Sequence, residues 1–175
     1  MRGAILAAAV ASCSALTITP KPSSVTATGQ LMGVDSVSFD FAATGANSPY
    51  LRDAFTRYYG IIFSDSVNSE MDSPAKSAAW QVVKGCDVNV KGKNTSLTIE
   101  TDASYTLTIK APRATIEANT VYGAMYGLES LSQLIYRGMT VNETTVTDKP
   151  RYQFRAVMVR RPTICYESLD YVPVL

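Results

Sequence analysis

The side chains able to do chemistry in this chain are fifteen carboxylates and three cysteines, with no histidine among its 175 residues. Without an imidazole there is no Ser/His/Asp or Cys/His system, in which a neighbouring base takes the proton of a hydroxyl or thiol, and no His-ligated metal site. An H-E-x-x-H zinc motif is likewise excluded. Gly123 and Gly127 fall inside an apolar periodic run rather than ahead of it, so they make no phosphate cradle at a helix start. No metal and no cofactor is therefore implied. What remains is modification chemistry. Asn94-Thr95-Ser96 and Asn142-Glu143-Thr144 fit the N-glycosylation acceptor pattern, both in polar stretches from which a glycan could project into water. Cys86 and Cys165 could pair in an oxidising compartment or stay as buried thiols, since connectivity cannot be read from sequence.

The elements that would position these groups are legible in the hydrophobic period. Over residues 120–134, TVYGAMYGLESLSQL, the side chains of Val121, Ala124, Leu128, Leu131 and Leu134 recur at three- and four-residue steps and form one helical stripe, with Glu129 and Gln133 beside it. Gly123 and Gly127 lie four apart on one face. Each costs a helix interior about 1 kcal/mol relative to alanine, so the pair makes sense where the backbone lies close against something flat, such as a sheet. A second helix is expected from Ser48 and Pro49, at N-cap and first-turn positions, through Leu51, Ala54, Phe55, Tyr58 and Ile62. Strands are expected at 37–41, from Trp80 through Val83 toward Val90, at 96–100, 105–110, 114–118 and 139–146. Short links such as Ala111-Pro112-Arg113 predict antiparallel hairpins, residues 20–30 read as an irregular lead-in, and 64–76 as a surface loop. The fold class is α+β, a mostly antiparallel sheet with two helices on one face.

Composition bounds the rest. A content of 46% hydrophobic and 18% charged residues fits one globular domain with a real core. Arg2, the small apolar run 3–11 and Cys13-Ser14-Ala15 resemble a secretory leader cleaved near Ala15, and the run is far short of the roughly 20 residues that span a bilayer. Loss of Arg2 with that leader would leave 15 basic against 15 acidic side chains, with no basic stripe for nucleic acid. The expected product is a soluble one of the secretory pathway.

Four ordered blocks carry a family resemblance: DASYTL at 102–107, ATIEA at 114–118, the helix at 120–134 and TDKPRYQFR at 147–155. An AFTRY run at 54–58 agrees with them. Together they resemble the N-terminal non-catalytic, zincin-like domain of family 20 glycoside hydrolases, the β-N-acetylhexosaminidases, in their eukaryotic form. The resemblance covers residues 31–159. It implies a leader at 1–15, the non-catalytic domain at 16–150, and at 151–175 a stub of a catalytic (β/α)8 barrel that diverges after 159. It also implies an extracellular or lysosomal product whose full-length relatives cleave terminal N-acetylhexosamines from glycoconjugates or chitooligosaccharides. That family needs an adjacent Asp-Glu pair: the aspartate orients the substrate's acetamido group as its oxygen attacks the anomeric carbon, and the glutamate protonates the leaving oxygen. No such dipeptide occurs here. Arg155 matches the arginine that binds hydroxyls of the terminal sugar, a role it could fill only if a barrel were completed, and Arg151 is expected to tether the domain junction. Ala156 replaces the customary glycine, and Arg160-Arg161-Pro162-Thr163-Ile164-Cys165 departs from the family's pattern, which implies an incomplete gene model, an altered reading frame or splice, or a natural truncation. The expected partners are carbohydrate in the full-length family and a catalytic barrel of the same or a related chain, with no nucleic acid and no membrane span. Alone, the chain is expected to be inactive and to expose an apolar docking surface. The alternative is a secreted, non-catalytic glycan-binding or scaffold module.

Overall fold

The computed structural model describes residues 18–45, 48–64, 81–93, 95–136 and 140–152. Strand alternation organises its core. Tyr105, Leu107 and Ile109 are buried while Thr106 and Thr108 between them face outward, and Ala114, Ile116 and Ala118 alternate with Thr115 and Glu117 in the same way. In chain order the elements are β1 (Ser24–Val34), β2 (Asp40–Ala43), α1 (Pro49–Phe63), β3 (Val82–Val83), β4 (Gly85–Val90), β5 (Tyr105–Ile109), β6 (Ala114–Ala118), α2 (Val121–Leu134) and β7 (Thr140–Asp148). The seven strands form one sheet in the order β2-β4-β6-β5-β7-β1-β3.

This is an α+β fold with a mixed sheet. The β1–β7, β5–β6 and β5–β7 ladders are antiparallel, and β1–β3, β2–β4 and β4–β6 are parallel. Hairpin logic holds for β5 and β6, joined through residues 110–113, but not for β2 and β4. Parallel neighbours need a crossover, and α1 supplies one between β2 and β4. In the same manner α2 leads from β6 to β7 across β5, which is antiparallel to both. The run expected between Trp80 and Val90 divides at Lys84. Its first half pairs with β1 and its second with β2 and β6, so one extended segment ties both ends of the strand order together.

The helices and the sheet enclose a single core. Leu128, Leu131 and Val121 of α2 meet the sheet's Leu107, Ile116 and Val88, and Leu51, Ala54 and Ile62 of α1 join the same cluster. Nine of the fourteen residues of α2 are buried, as expected of a helix lying between a sheet and another helix. An aromatic run closes the α1 side: Phe41 stacks on Phe55 at 5.2 Å, and Phe39 meets Phe63 edge-on at 5.3 Å. The opposite face of the sheet is polar. Thr26, Thr145, Thr108 and Thr115 sit in register across β1, β7, β5 and β6, and the row continues to Asp87 on β4. Threonine suits a solvated sheet face because it is β-branched yet hydrogen-bonding.

Three expectations are corrected. Residues 24–34 form the longest strand rather than a lead-in: the segment is polar on most of its length, but its backbone pairs with β7, interrupted by an irregularity near Gly29, whose φ of 80° suits glycine. Residues 96–100 are not a strand. The Thr101 hydroxyl accepts from the Thr98 N–H at 2.8 Å, which folds the segment on itself and leaves Leu97 and Ile99 exposed. The strand expected at 37–41 begins at Asp40, because Asp35 draws the Val37 and Ser38 N–H groups into a turn at 3.2 and 3.3 Å. Most of the loop expected at 64–76 lies outside the described residues.

Candidate functional site

The densest set of specific polar contacts converges on α2. Thr120 caps its start: the hydroxyl accepts from the Gly123 N–H at 3.2 Å and donates to the Asp102 carbonyl. Asp102 in turn accepts from the Asn119 amide at 2.8 Å and the Ser104 N–H at 3.0 Å, and these bonds, Asn119 first, hold its carboxyl below the usual range. The two glycines press against the sheet. A methyl group at Gly123 would stand 2.5 Å from the Ser104 carbonyl oxygen, and one at Gly127 would stand 2.7 Å from Cγ2 of Ile116. The flat neighbour expected from the sequence is thus the start of β5 and the middle of β6. The buried Tyr105 and Ser130 hydroxyls bond to each other across the same contact.

The polar edge of α2 joins three parts of the chain. Glu129 accepts from the Tyr58 hydroxyl of α1 at 3.0 Å and from the Gln133 amide at 2.9 Å. Burial, reinforced by the negative charge of Glu129, pushes the Tyr58 phenol up to about 12. Gln133 accepts from the Thr19 N–H at 2.8 Å and donates to the Thr19 carbonyl at 2.9 Å. Glu129 and Gln133 stand beside the apolar stripe in the sequence, but their partners are 71 and 114 residues away and no local pattern announces them.

Elsewhere Arg113, Asp40, Asp87 and Asp148 are also engaged in structural bonds. Arg113 reaches Asp40 at 2.6 Å and Asp87 at 2.9 Å, joining β2, β4 and the start of β6. The Arg113 bond lowers the Asp40 pKa. A shallow concavity of about 340 Å³ opens where β5 begins and β6 and β7 end, lined by Lys91, Glu117, Asn119, Asp148 and Lys149 among others. Asp148 there accepts from the Ser23 N–H at 3.0 Å and the Ser23 hydroxyl at 2.9 Å, so it closes the fold rather than standing ready as an acid or nucleophile. Among the described residues no group of three His, Cys, Asp or Glu side chains could hold a metal ion.

Of the sequence-derived sites, Asn142, Cys86 and Arg151 lie among the described residues. Asn142 lies on β7 opposite Leu31 and is partly exposed, while the Thr144 hydroxyl of its acceptor triplet is buried and donates to the Asn142 carbonyl at 3.0 Å. Asn94 and Arg155 lie outside the described residues, as does Cys165. Cys86 is a fully buried thiol on β4, its pKa raised by desolvation. The Arg151 guanidinium rests 5.7 Å from the centre of the Tyr152 ring, just after β7.

Residues 18–134, which contain both helices and every strand but β7, match the family described as beta-acetyl hexosaminidase like. The chain belongs to that family. It is similar to the beta-hexosaminidase subunit beta of Homo sapiens, 32% identical over 140 residues that cover 76% of this chain and 24% of that protein. Beta-hexosaminidase 1 of Arabidopsis thaliana is 31% identical over 175 residues, with 89% and 31% covered. The chain thus spans about a quarter to a third of the length of these relatives. Among solved structures, the chitobiase of Flavobacterium johnsoniae shares the fold with a TM-score of 0.65 at 22% identity, over 82% of this chain and 22% of that one. What they share with this family member is the hexosaminidase N-terminal domain. No helix among the described residues is long and apolar enough to cross a membrane.

Proposed function

We propose that residues 1–175 act as the non-catalytic N-terminal scaffold domain of a β-N-acetylhexosaminidase, and that alone they hydrolyse no glycoside. The observation that carries this is the structural engagement of five of the chain's fifteen carboxylates together with the missing catalytic pair. Glu129, Asp102, Asp148, Asp40 and Asp87 each hold elements together, and no adjacent Asp-Glu pair exists in the chain. In this proposal residues 1–15 are a secretory leader, 16–150 the scaffold domain, and 151–175 the opening of a barrel whose terminal-sugar site Arg155 would join only when the barrel is complete. The product is extracellular or lysosomal, carries glycans on Asn94 and Asn142, and serves a catalytic barrel of its own or a related chain. The substrate in full-length form is a terminal N-acetylhexosamine, as the names of the hexosaminidase relatives suggest.

A glycan array probed with the purified chain tests this against a stand-alone binding module. The scaffold predicts no selective retention, because its concavity is shallow and, among the described residues, presents no exposed aromatic platform for a sugar ring. Saturable binding to one class of glycan would overturn it.

A further inference from the structure

We infer that Ile18 and Thr19 form an N-terminal strap that completes the domain, so that the mature chain must begin upstream of Ile18. Ile18 is buried in the core cluster at 6% exposure, whereas the Thr19 side chain is exposed. Thr19 is recognised through its main chain. The Gln133 amide takes both the N–H and the carbonyl of that residue, at 2.8 and 2.9 Å, as a neighbouring strand would. Gln133 is itself oriented by Glu129, and Glu129 by Tyr58, so the strap is coupled through α2 to α1. At its other end Ser23 is fixed by Asp148 at the end of β7, with Pro22 buried between the two anchors.

Processing is constrained by this geometry. If cleavage left Ile18 first, a charged ammonium would sit directly on a buried residue, which desolvation opposes. If it left Thr19 first, the neutral N–H bonded to Gln133 would become an ammonium and Ile18 would be lost from the core. Cleavage near Ala15 keeps Leu16 and Thr17 ahead of the strap, and to that extent the inference rests on the proposed leader. Trimming past Thr19 would release the strap.

Two measurements test it on the otherwise full chain. Urea unfolding is compared for chains starting at residue 16 and at residue 20, each with and without Gln133→Ala. Gln133→Ala should reduce the folding equilibrium constant at least tenfold more in the longer chain than in the shorter, a difference of about 1.4 kcal/mol. An equal effect in both, or equal stability of the two parent chains, overturns the strap. Should the shorter chain fail to fold while the longer folds, the strap is supported directly. N-terminal sequencing of the exported product should give a start at 16 or 17. A start at 18 or later contradicts the inference, whereas retention of Met1 contradicts the leader alone.

Discussion

Gly60, Gly123 and Gly127 all lie inside helices, yet an added methyl group meets different surroundings at each. Nothing stands within 4 Å of such a group at Gly60, whereas it meets the Ser104 carbonyl at Gly123 and Ile116 at Gly127. Gly60→Ala should therefore stabilise by about 0.5–1 kcal/mol through helix propensity. Gly123→Ala and Gly127→Ala should destabilise by about 1–3 kcal/mol through overpacking. Chemical denaturation of the three variants checks the sign in each case. Titration is the second test at this scale. Asp35, Asp40 and Asp102 have carboxyls held below their ordinary value of 3.8, through bonds from Ser38, Arg113 and Asn119 respectively. A depressed carboxyl contributes stability above its unfolded pKa and loses it as pH falls through the folded value. Stability should thus decline below about pH 4. Tyr58 works in the other direction: its raised phenol, near 12 against 10 unfolded, contributes below pH 10 and is lost as pH rises through 12. Thermal melts across pH check both limbs, and Tyr58→Phe should flatten the alkaline one. Close approach at the two α2 glycines is legible in the sequence because glycine has few other reasons to occupy a helix. The roles of Glu129 and Gln133 are not, since a polar side chain beside an apolar stripe is the ordinary solvated case.

The two helices start differently although both begin after a hydroxyl residue. Thr120 caps α2 through the Gly123 N–H, while Ser48 makes no side-chain cap bond and its buried oxygen has no partner among the described residues. Thr120→Ala should cost about 1 kcal/mol. Ser48→Ala removes a buried hydroxyl that bonds to nothing among the described residues and should be neutral or slightly stabilising, which urea midpoints of the pair would show. Both helices can be placed from sequence because an amphipathic period reports burial within a single element. Strands β5 and β6 are readable for the same reason, their alternation of buried and outward residues being complete. The strand β1 is not. Its first eight residues are exposed, and what makes them a strand is a backbone ladder to β7 more than a hundred residues later. The segment 96–100 misleads in the opposite way: Leu97 and Ile99 have strand spacing but, among the described residues, no neighbouring strand to pair with.

At the scale of the molecule, the sheet, two helices and N-terminal strap make a closed core, yet apolar side chains remain outside it. Tyr50, Ile61, Leu97 and Ile99 are each more than half exposed, at 54, 53, 60 and 64%. We propose that these side chains contribute to the docking face expected from the sequence, since a contiguous exposed apolar patch marks a protein-contact surface. The isolated chain should therefore bind an apolar dye and associate at high concentration, and a monodisperse monomer that binds no dye would contradict this. The family is legible in the ordered motif blocks alone, because spacing among four segments is more specific than any one of them. The structural role of the carboxylates is not legible there, since it depends on partners brought together by the sheet order. The most direct test of the scaffold role is hydrolysis of a chromogenic N-acetyl-β-glucosaminide by homogeneous chain at acidic and neutral pH. The release of chromophore should equal the uncatalysed blank; turnover that co-purifies with the chain and saturates with substrate would contradict it.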